Sequence, residues 1–155
     1  FSSQENKNFL YKNSHYFAHY STAYQIFKEN KLFGVGVKNF RNYCDNDKFN
    51  AEIWPGWRAK KCSTHPHNYY FELLSELGLI GFIVLNSFFL FSFYCFLKIY
   101  QKSKNTYLLV GSLIILAHFI PFLPRGSFFT NWNAMIFWTV FSFVYSNYIK
   151  IKNTK

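Results

Sequence analysis

The sequence predicts an all-α membrane protein in which a loop region, residues 1–72, precedes three transmembrane helices in residues 73–155. Two observations carry this prediction. All seven acidic residues lie at or before Glu76, so the second half of the chain contains no Asp or Glu. That half also contains three long apolar segments, at about 77–97, 105–124 and 132–149. A globular soluble domain rarely runs so far without an acid, whereas membrane-spanning helices do.

The first periodic signal in the loop region is an amphipathic helix around residues 20–30. Its apolar positions follow the spacing i, i+3, i+4, i+7 and are Tyr20, Ala23, Tyr24 and Phe27. We expect this helix to end at Gly34. Two interpretations stay open, because such a helix can pack on a small domain or lie on a bilayer surface.

A tight turn follows, in the stretch L-F-G-V-G-V-K-N-F-R that ends at Arg41. It lacks the third glycine and the preceding strand of a dinucleotide site. One interpretation is a structural turn, which the spacing alone favours. The other is a turn that presents backbone N–H groups, together with Lys38 and Arg41, to a phosphate.

Two cysteines, Cys44 and Cys62, bracket the stretch W-P-G-W-R. On an oxidising side of a membrane they could pair, and closing a loop of that length would stabilise the fold by about 3 kcal/mol. They lack the C-x-x-C spacing of metal or redox motifs. The third cysteine, Cys95, lies inside an apolar segment, where we expect an inert buried thiol.

Positive charge predicts the orientation of the three helices. Lysines are concentrated in the 98–106 loop and in the C-terminal tail, whereas the 124–131 loop holds only Arg125. The positive-inside rule then places the lysine-rich loop and the tail in the cytoplasm and residues 1–72 outside. In a bacterium that compartment is the periplasm, which suits a disulfide between Cys44 and Cys62.

The net charge of +10 has two explanations. Nucleic-acid binding is one, but the basic residues form no dense run and many flank apolar segments. Membrane topology and contact with anionic lipid is the other, and the distribution favours it. We therefore expect the lipid bilayer, and no nucleic acid, as a partner.

The polar loop region and the apolar second half of the chain meet in Thr64–Gly81, whose sequence is T-H-P-H-N-Y-Y-F-E-L-L-S-E-L-G-L-I-G. Pro66 favours the first turn of a helix, so His67 and Asn68 would lie in that first turn. Free N–H groups and the helix dipole make such a position an anion site. The same field lowers the pKa of a nearby histidine, and a neutral His67 can accept a proton from a sugar hydroxyl.

Two other arrangements in this stretch have more than one interpretation. Glu72 and Glu76, one helical turn apart, could serve acid–base chemistry, but such carboxylates more often hydrogen-bond at a helix interface. His65 and His67 could bind a metal, but no third or fourth ligand is evident in the sequence. We therefore predict neither a metal nor a cofactor.

Three stretches carry a resemblance to a known family. They are N-K-L-F-G-V-G-V-K-N-F from Asn30, H-P-H-N-Y-Y-F-E-L-L-S-E-L-G-L-I-G from His65, and G-S-F-F-T-N-W-N-A-x-x-F-W from Gly126. They resemble the N-P-x-x-G-x-G-x-x-x-F motif, the H-N-x-x-L-x-x-x-x-E-x-G-x-x-G motif and the start of the last helix in the O-antigen ligase and O-antigen polymerase family of bacterial membrane glycosyltransferases. Lys31 stands where that family usually has proline, and Phe71 where it has leucine.

The resemblance implies the C-terminal portion of a larger multi-span bundle of the GT-C-like type. It also implies metal-independent transfer of glycan from an undecaprenyl-pyrophosphate carrier to a sugar hydroxyl in surface polysaccharide biosynthesis. The family's motif histidine corresponds to His67, which Asn68 follows, and these are the candidate catalytic residues. The family holds the pyrophosphate with arginines, and the candidate substrate-binding residues here are Arg58, Arg41, Lys38, His65 and Glu76.

An O-antigen polymerase is the first hypothesis, favoured over the ligase by the T-N-W-N stretch. A ligase would use lipid A–core as its acceptor. A non-enzymatic membrane scaffold or transporter segment, in which His67 only caps a helix, is the rival from another class. The implied partners are the lipid-linked oligosaccharide and other polysaccharide export or chain-length proteins. Because further family arginines would lie outside this chain, we expect it to be inactive alone.

Overall fold

The computed structural model describes residues 15–50, 61–120 and 124–154, which are helical and contain no strand. Arg58, a predicted substrate-binding residue, lies outside them. The chain divides into two compact units. Unit 1 comprises Phe1–Phe82 and Pro121–Phe129, and unit 2 comprises Ile83–Ile120 and Thr130–Lys155.

Unit 1 is built around a small hydrophobic core. Its first elements are the helices α1 (His15–Glu29) and α2 (Phe40–Tyr43) and a 3-10 helix (Asp47–Asn50). The buried cluster consists of Ala23, Ile26, Phe40, Cys44 and Phe49. A disulfide joins Cys44 to Cys62 with a Cα–Cα distance of 5.2 Å, so the pairing that the spacing allowed is made in this fold.

Helix α1 is amphipathic, but its buried face is shifted from the predicted one, with which it shares Ala23. Ala18 and Ile26 are fully buried, whereas Tyr24 leaves 43% of its surface exposed. Small side chains let α1 approach its neighbours closely, while a tyrosine keeps its polar end in water. The helix also ends at Glu29 and not at Gly34. Of the two open interpretations, packing on a small domain accounts for its buried face.

Helix α3 (Tyr69–Ser103) begins later than predicted. Its cap is Asn68, whose Oδ1 accepts hydrogen bonds from the N–H groups of Tyr70 and Phe71 at 3.0 and 3.3 Å. The predicted start at Pro66 was therefore wrong, because an asparagine that caps the helix must itself lie outside it. His67 precedes the cap and has a left-handed backbone, with φ at 58°.

The apolar segment predicted at 77–97 lies within α3. Among the helices of the described residues, α3 alone is long and apolar enough to cross a membrane, by length and composition. Its backbone is interrupted once, at Gly78, where φ is 65° and ψ is −168°.

At Gly78 the hydrogen-bond ladder of α3 opens, and the turn that follows α1 fills the gap. We call residues 31–36 the inserted turn. In a regular helix the N–H of Leu79 would bond to the carbonyl of Ser75, and Ile80 to Glu76. Here those four groups bond to the inserted turn instead. The bonds are Val35 N–H to Ser75 O at 3.0 Å, Gly36 N–H to Glu76 O at 2.8 Å, Leu79 N–H to Lys31 O at 2.7 Å and Ile80 N–H to Leu32 O at 3.2 Å.

Two glycines make this close backbone contact possible. Gly34 and Gly78 both have φ of 65°, where only glycine is unstrained. A methyl group on Gly34 would overlap the backbone of Glu76, and one on Gly78 would overlap the backbone of Leu32. The G-x-G turn and the E-x-G stretch, far apart in sequence, are therefore the two halves of one joint, as the structural interpretation of the turn requires.

Unit 2 contains the rest of α3 together with α4 (Thr106–His118) and α5 (Asn131–Asn153). Ring contacts show that α5 runs parallel to α3, since Phe89 meets Phe137 at 5.3 Å and Phe96 meets Tyr148 at 5.7 Å. Helix α4 packs against α5, and Gly111 brings their backbones close because a methyl group there would overlap Val144.

Helix α4 is shorter than the predicted segment 105–124. It ends at His118, with Phe119 as its cap. Pro121 follows two residues later, and helices usually end before the residue that precedes a proline. Residues 121–123 lie outside the described residues. Thirteen helical residues span about 20 Å, less than the roughly 30 Å of a bilayer core.

The surface of unit 2 is apolar along its length and basic at one end. Exposed side chains include Val84, Leu90, Phe91, Ile136 and Phe143. Lysines cluster where α3 and α5 finish, in the last turn of each helix. Large exposed apolar patches mark surfaces that contact lipid or another protein.

Candidate functional site

Three histidines of unit 1 come together in front of α3. We call His19, His65 and His67 the histidine cluster. The ring centroids of His65 and His67 are 4.2 Å apart, and those of His19 and His67 are 5.2 Å apart. Tyr16, on α1 with His19, adds an edge contact to His67 at 5.9 Å. Helix α1 therefore supplies one wall of the cluster, and the chain before α3 supplies the rest.

Two members of the cluster are held by hydrogen bonds. His65 Nε2 lies 3.2 Å from the carbonyl oxygen of Arg125, so this nitrogen carries the proton and donates it. The other nitrogen, Nδ1, then accepts from the hydroxyl of Thr64 at 2.9 Å. His19 Nδ1 bonds to the carbonyl of Lys61 at 3.1 Å. These bonds fix the orientation of the rings that surround His67.

The side chain of His67 differs from its neighbours, because among the described residues its imidazole makes ring contacts and takes part in no hydrogen bond. Partial burial lowers the pKa of His67 below its usual 6.5, and the nearby His65 lowers it further. Burial also lowers the pKa of His65. A half-buried, neutral imidazole whose nitrogens bond to no group in the described residues is suited to accept a proton from a bound hydroxyl.

Asn68 is the N-cap of α3, and its Oδ1 accepts hydrogen bonds from two backbone N–H groups. His67 is thus adjacent to the N-terminal end of a long helix, where the dipole is positive. The catalytic role predicted for Asn68 stays a prediction.

Arg125 is tied to the histidine cluster through its backbone. Its N–H donates to the carbonyl of His67 at 2.8 Å, and its carbonyl accepts from His65. Nearby, the N–H of Phe128 donates to the carboxylate of Glu72 at 2.9 Å. Glu72 therefore acts as a helix-interface group that holds the 124–129 segment beside the start of α3.

A second group of predicted residues gathers around Glu76. Its carboxylate accepts hydrogen bonds from the N–H of Lys38 at 2.6 Å and of Phe40 at 3.3 Å. The side chain of Arg41 folds back onto the carbonyl of Lys38 at 3.1 Å and is exposed. Glu76 lies eight residues beyond Asn68, about 12 Å along α3.

The predicted site residues thus fall into two groups. His65, His67 and Asn68 are brought together, and so are Lys38, Arg41 and Glu76. Sequence analysis missed His19, Tyr16 and Arg125. The sequence did contain a signal that could have identified Arg125 as a site residue. It is the one basic residue of the 124–131 loop, which is expected on the same side of the membrane as His67. The roles in substrate binding stay predictions.

Within residues 15–50, 61–120 and 124–154, no group of three or more His, Cys, Asp or Glu side chains is arranged to hold a metal ion. In the histidine cluster, both ring nitrogens of His65 already bond to protein groups. These two hydrogen bonds hold the His65 ring in place.

These features define a helical protein with a polar, histidine-bearing site next to a helix that could cross a membrane. A family model described as O-Antigen ligase matches residues 3–86, which is more than half of the 155-residue chain. The chain belongs to the O-antigen ligase family. No curated protein and no solved structure matches it. Membership connects the chain with glycosyltransferase-like enzymes that assemble O-antigen or related polysaccharides at membranes.

Proposed function

We propose that this chain is the C-terminal portion of an O-antigen polymerase, which transfers glycan from an undecaprenyl-pyrophosphate carrier to a sugar hydroxyl. The observation that carries the proposal is His67. It is a half-buried imidazole with a lowered pKa, its nitrogens have no hydrogen-bond partner in the described residues, and the stretch around it resembles the family's histidine motif.

In the proposed reaction His67 takes the proton from the acceptor hydroxyl. The hydroxyl oxygen forms a bond to the anomeric carbon, and the bond from that carbon to the pyrophosphate oxygen breaks. The lipid pyrophosphate leaves with its electron pair and needs positive charge beside it. Arg125 is a suitable cation because its backbone is bonded to both His65 and His67. The transfer requires no metal.

Arg41, Lys38 and Arg58 stay candidates for holding the pyrophosphate or the glycan. Of these, Lys38 and Arg41 belong to the Glu76 group, about 12 Å further along α3 than Asn68. That distance suits the far end of an extended substrate better than the reacting bond. His65 contributes by orienting the segment that carries Arg125, through its hydrogen bond to the Arg125 carbonyl.

The proposal places unit 1 in the periplasm and α3, α4 and α5 in the bacterial inner membrane. The parallel course of α3 and α5, the apolar exterior of unit 2 and the lysines at one end of it support this placement. The substrate would then approach from the lipid, and the cluster would lie near the water interface. Chain-length and export proteins of the polysaccharide pathway are further proposed partners.

Substitution of His67 in the full-length protein tests the catalytic role. His67→Ala and His67→Asn should lower polymer formation by about 100-fold or more, since general-base catalysis contributes on that order. Asparagine tolerates the left-handed backbone at this position, so the second variant keeps the fold. The measurement is glycan chain length on gels of cell-surface polysaccharide, with membrane protein level checked by immunoblot.

His118→Asn is the matched control, because His118 lies in unit 2 and bonds to the carbonyl of Ile114 at 3.1 Å. It should leave chain length unchanged. Unchanged glycan length in both His67 variants would show that His67 has only a structural role before the helix cap. That outcome would favour the non-enzymatic scaffold or transporter segment. A deletion strain separates the two enzymes: loss of the polymerase leaves single-repeat caps, whereas loss of the ligase leaves a bare core.

A further inference from the structure

The inserted turn carries an exposed apolar surface that unit 1 does not cover. Leu32 is 58% exposed, Phe33 is 74% exposed, and Val37, just beyond the turn, is 48% exposed. Leu79 and Ile80, the first residues of α3 after its interruption, are 42% and 44% exposed. Scattered apolar side chains are common on protein surfaces, but neighbouring ones mark a contact surface.

Backbone hydrogen bonds place these two sets of residues side by side. The N–H of Leu79 bonds to the carbonyl of Lys31, and the N–H of Ile80 bonds to the carbonyl of Leu32. The exposed apolar surface of the turn is therefore continuous with the beginning of the apolar run of α3. If that run enters a bilayer, the turn lies at the depth where it enters.

The exposed charges around the turn are mostly positive, since the carboxylate of Glu76 is buried. Lys28 and Lys31 are exposed, and Lys38 is half-buried. The acid in this region, Glu29, is engaged by Lys48 in an ion pair. A shallow cavity of about 460 Å³ is lined by residues 28–34, with two of these lysines and Phe33 on its walls.

We propose that the inserted turn is a membrane-interface anchor whose occupant is the headgroup and upper acyl region of anionic phospholipid. Leu32 and Phe33 enter the lipid beside Leu79 and Ile80, while the lysines contact lipid phosphates. This inference rests on the membrane placement in the proposed function. It would fix the height of unit 1, and so of the histidine cluster, above the bilayer.

The chemistry of the surface favours lipid over a protein partner. Bulky apolar side chains with lysines around them are typical of segments that lie about 5–10 Å into the headgroup and acyl boundary. Each lysine near an anionic leaflet adds to binding, and the effect weakens with salt. The continuity with α3 also means that the turn needs no separate docking partner to be covered.

A depth measurement tests the proposal. The full-length protein, with Cys95→Ser and no other unpaired cysteine, is reconstituted in vesicles that contain phosphatidylglycerol. An environment-sensitive fluorophore is attached at Phe33→Cys, and quenching by lipids spin-labelled at shallow and deep positions is recorded. Tyr43→Cys is the control, because Tyr43 is also an exposed aromatic residue, 42% against 74% for Phe33, and lies on α2, outside the inserted turn. Leu90→Cys reports on the apolar run of α3.

The expected result is shallow quenching and a blue-shifted emission at position 33, deep quenching at position 90, and neither at position 43. A water-exposed signal at position 33 with deep quenching at position 90 would overturn the anchor and leave the membrane placement intact. A water-exposed signal at both positions would overturn the anchor and the membrane placement together. Quenching at position 43 as strong as at position 33 would show general adsorption and would also overturn the anchor.

The lysines are tested in the same vesicles. Lys28→Gln with Lys31→Gln should reduce quenching at position 33 in phosphatidylglycerol vesicles and have little effect in phosphatidylcholine vesicles. The control is Lys152→Gln, at the end of α5 in unit 2. Equal quenching before and after the double substitution in anionic vesicles would contradict the part assigned to lipid phosphate.

Discussion

Hydrogen bonding distinguishes His67 from the other two histidines of the cluster. His65 uses both ring nitrogens, on Thr64 and on the carbonyl of Arg125. His19 is bonded to the carbonyl of Lys61. In the part of the chain that the structure describes, the imidazole of His67 makes ring contacts only, and the backbone of His67 is left-handed. Residues in such sparsely populated conformations persist where the surrounding structure holds them, as at many functional sites.

The lowered pKa of His67 predicts the pH dependence of the reaction. Burial disfavours the charged imidazolium and lowers the pKa of His67, so the neutral imidazole is the more populated form at pH 6.5. The base is therefore active above its lowered pKa and is lost as pH falls through it. The acid limb of transfer by the full-length enzyme should have its midpoint below pH 6.5. The measurement is the pH profile of kcat/KM; a midpoint above 6.5 would contradict the assignment.

Helix α3 and the inserted turn act as one element. The interruption at Gly78 frees two carbonyls and two N–H groups, and residues 31–36 satisfy all four. Each buried backbone group left without a hydrogen bond would cost about 1–3 kcal/mol. The joint therefore stabilises both α3 and the inserted turn. The carboxylate of Glu76 reinforces it by accepting from the N–H groups of Lys38 and Phe40.

Substituting the glycines of this joint tests its importance. Gly34→Ala and Gly78→Ala should each destabilise unit 1 by about 2 kcal/mol or more, because each adds left-handed strain and a backbone overlap. Gly36→Ala is the informative comparison: its φ is 97°, but an added methyl would meet only the side chain of Asn39. We therefore expect a smaller effect there. The measurement is the thermal midpoint of the purified full-length protein, and equal shifts in all three variants would contradict the joint.

Local sequence signals predicted α1, α3 and α5 and the position of His67 near a helix start. They did so because amphipathic spacing and apolar runs are properties of neighbouring residues. The buried face of α1, the early end of α4 and the capping by Asn68 depend on local details that periodicity does not resolve. The joint at Gly78 depends on backbone contacts between segments about 45 residues apart, and the link between Arg125 and the histidines spans about 60. No short-range pattern encodes such contacts.

At the scale of the whole chain, the distribution of charge and the direction of the helices predict the same orientation in a membrane. Lysines gather at the ends of α3 and α5, which run parallel, and the turn into α4 carries Lys104. Unit 1 holds all of the chain's acids. A membrane protein with this pattern would keep the lysine-rich ends in the cytoplasm. The Cys44–Cys62 disulfide is consistent with an oxidising compartment for unit 1.

Cysteine accessibility in intact cells tests this orientation. In the full-length protein with Cys95→Ser, Lys28→Cys should react with a membrane-impermeant maleimide added from the periplasm, since Lys28 is exposed on unit 1. Lys102→Cys and Lys152→Cys should react only after the inner membrane is made permeable, because positive charge retains the C-terminal ends of α3 and α5 inside. Labelling of Lys102→Cys from the periplasm would invert the orientation, and with it the side of the membrane proposed for the histidine cluster.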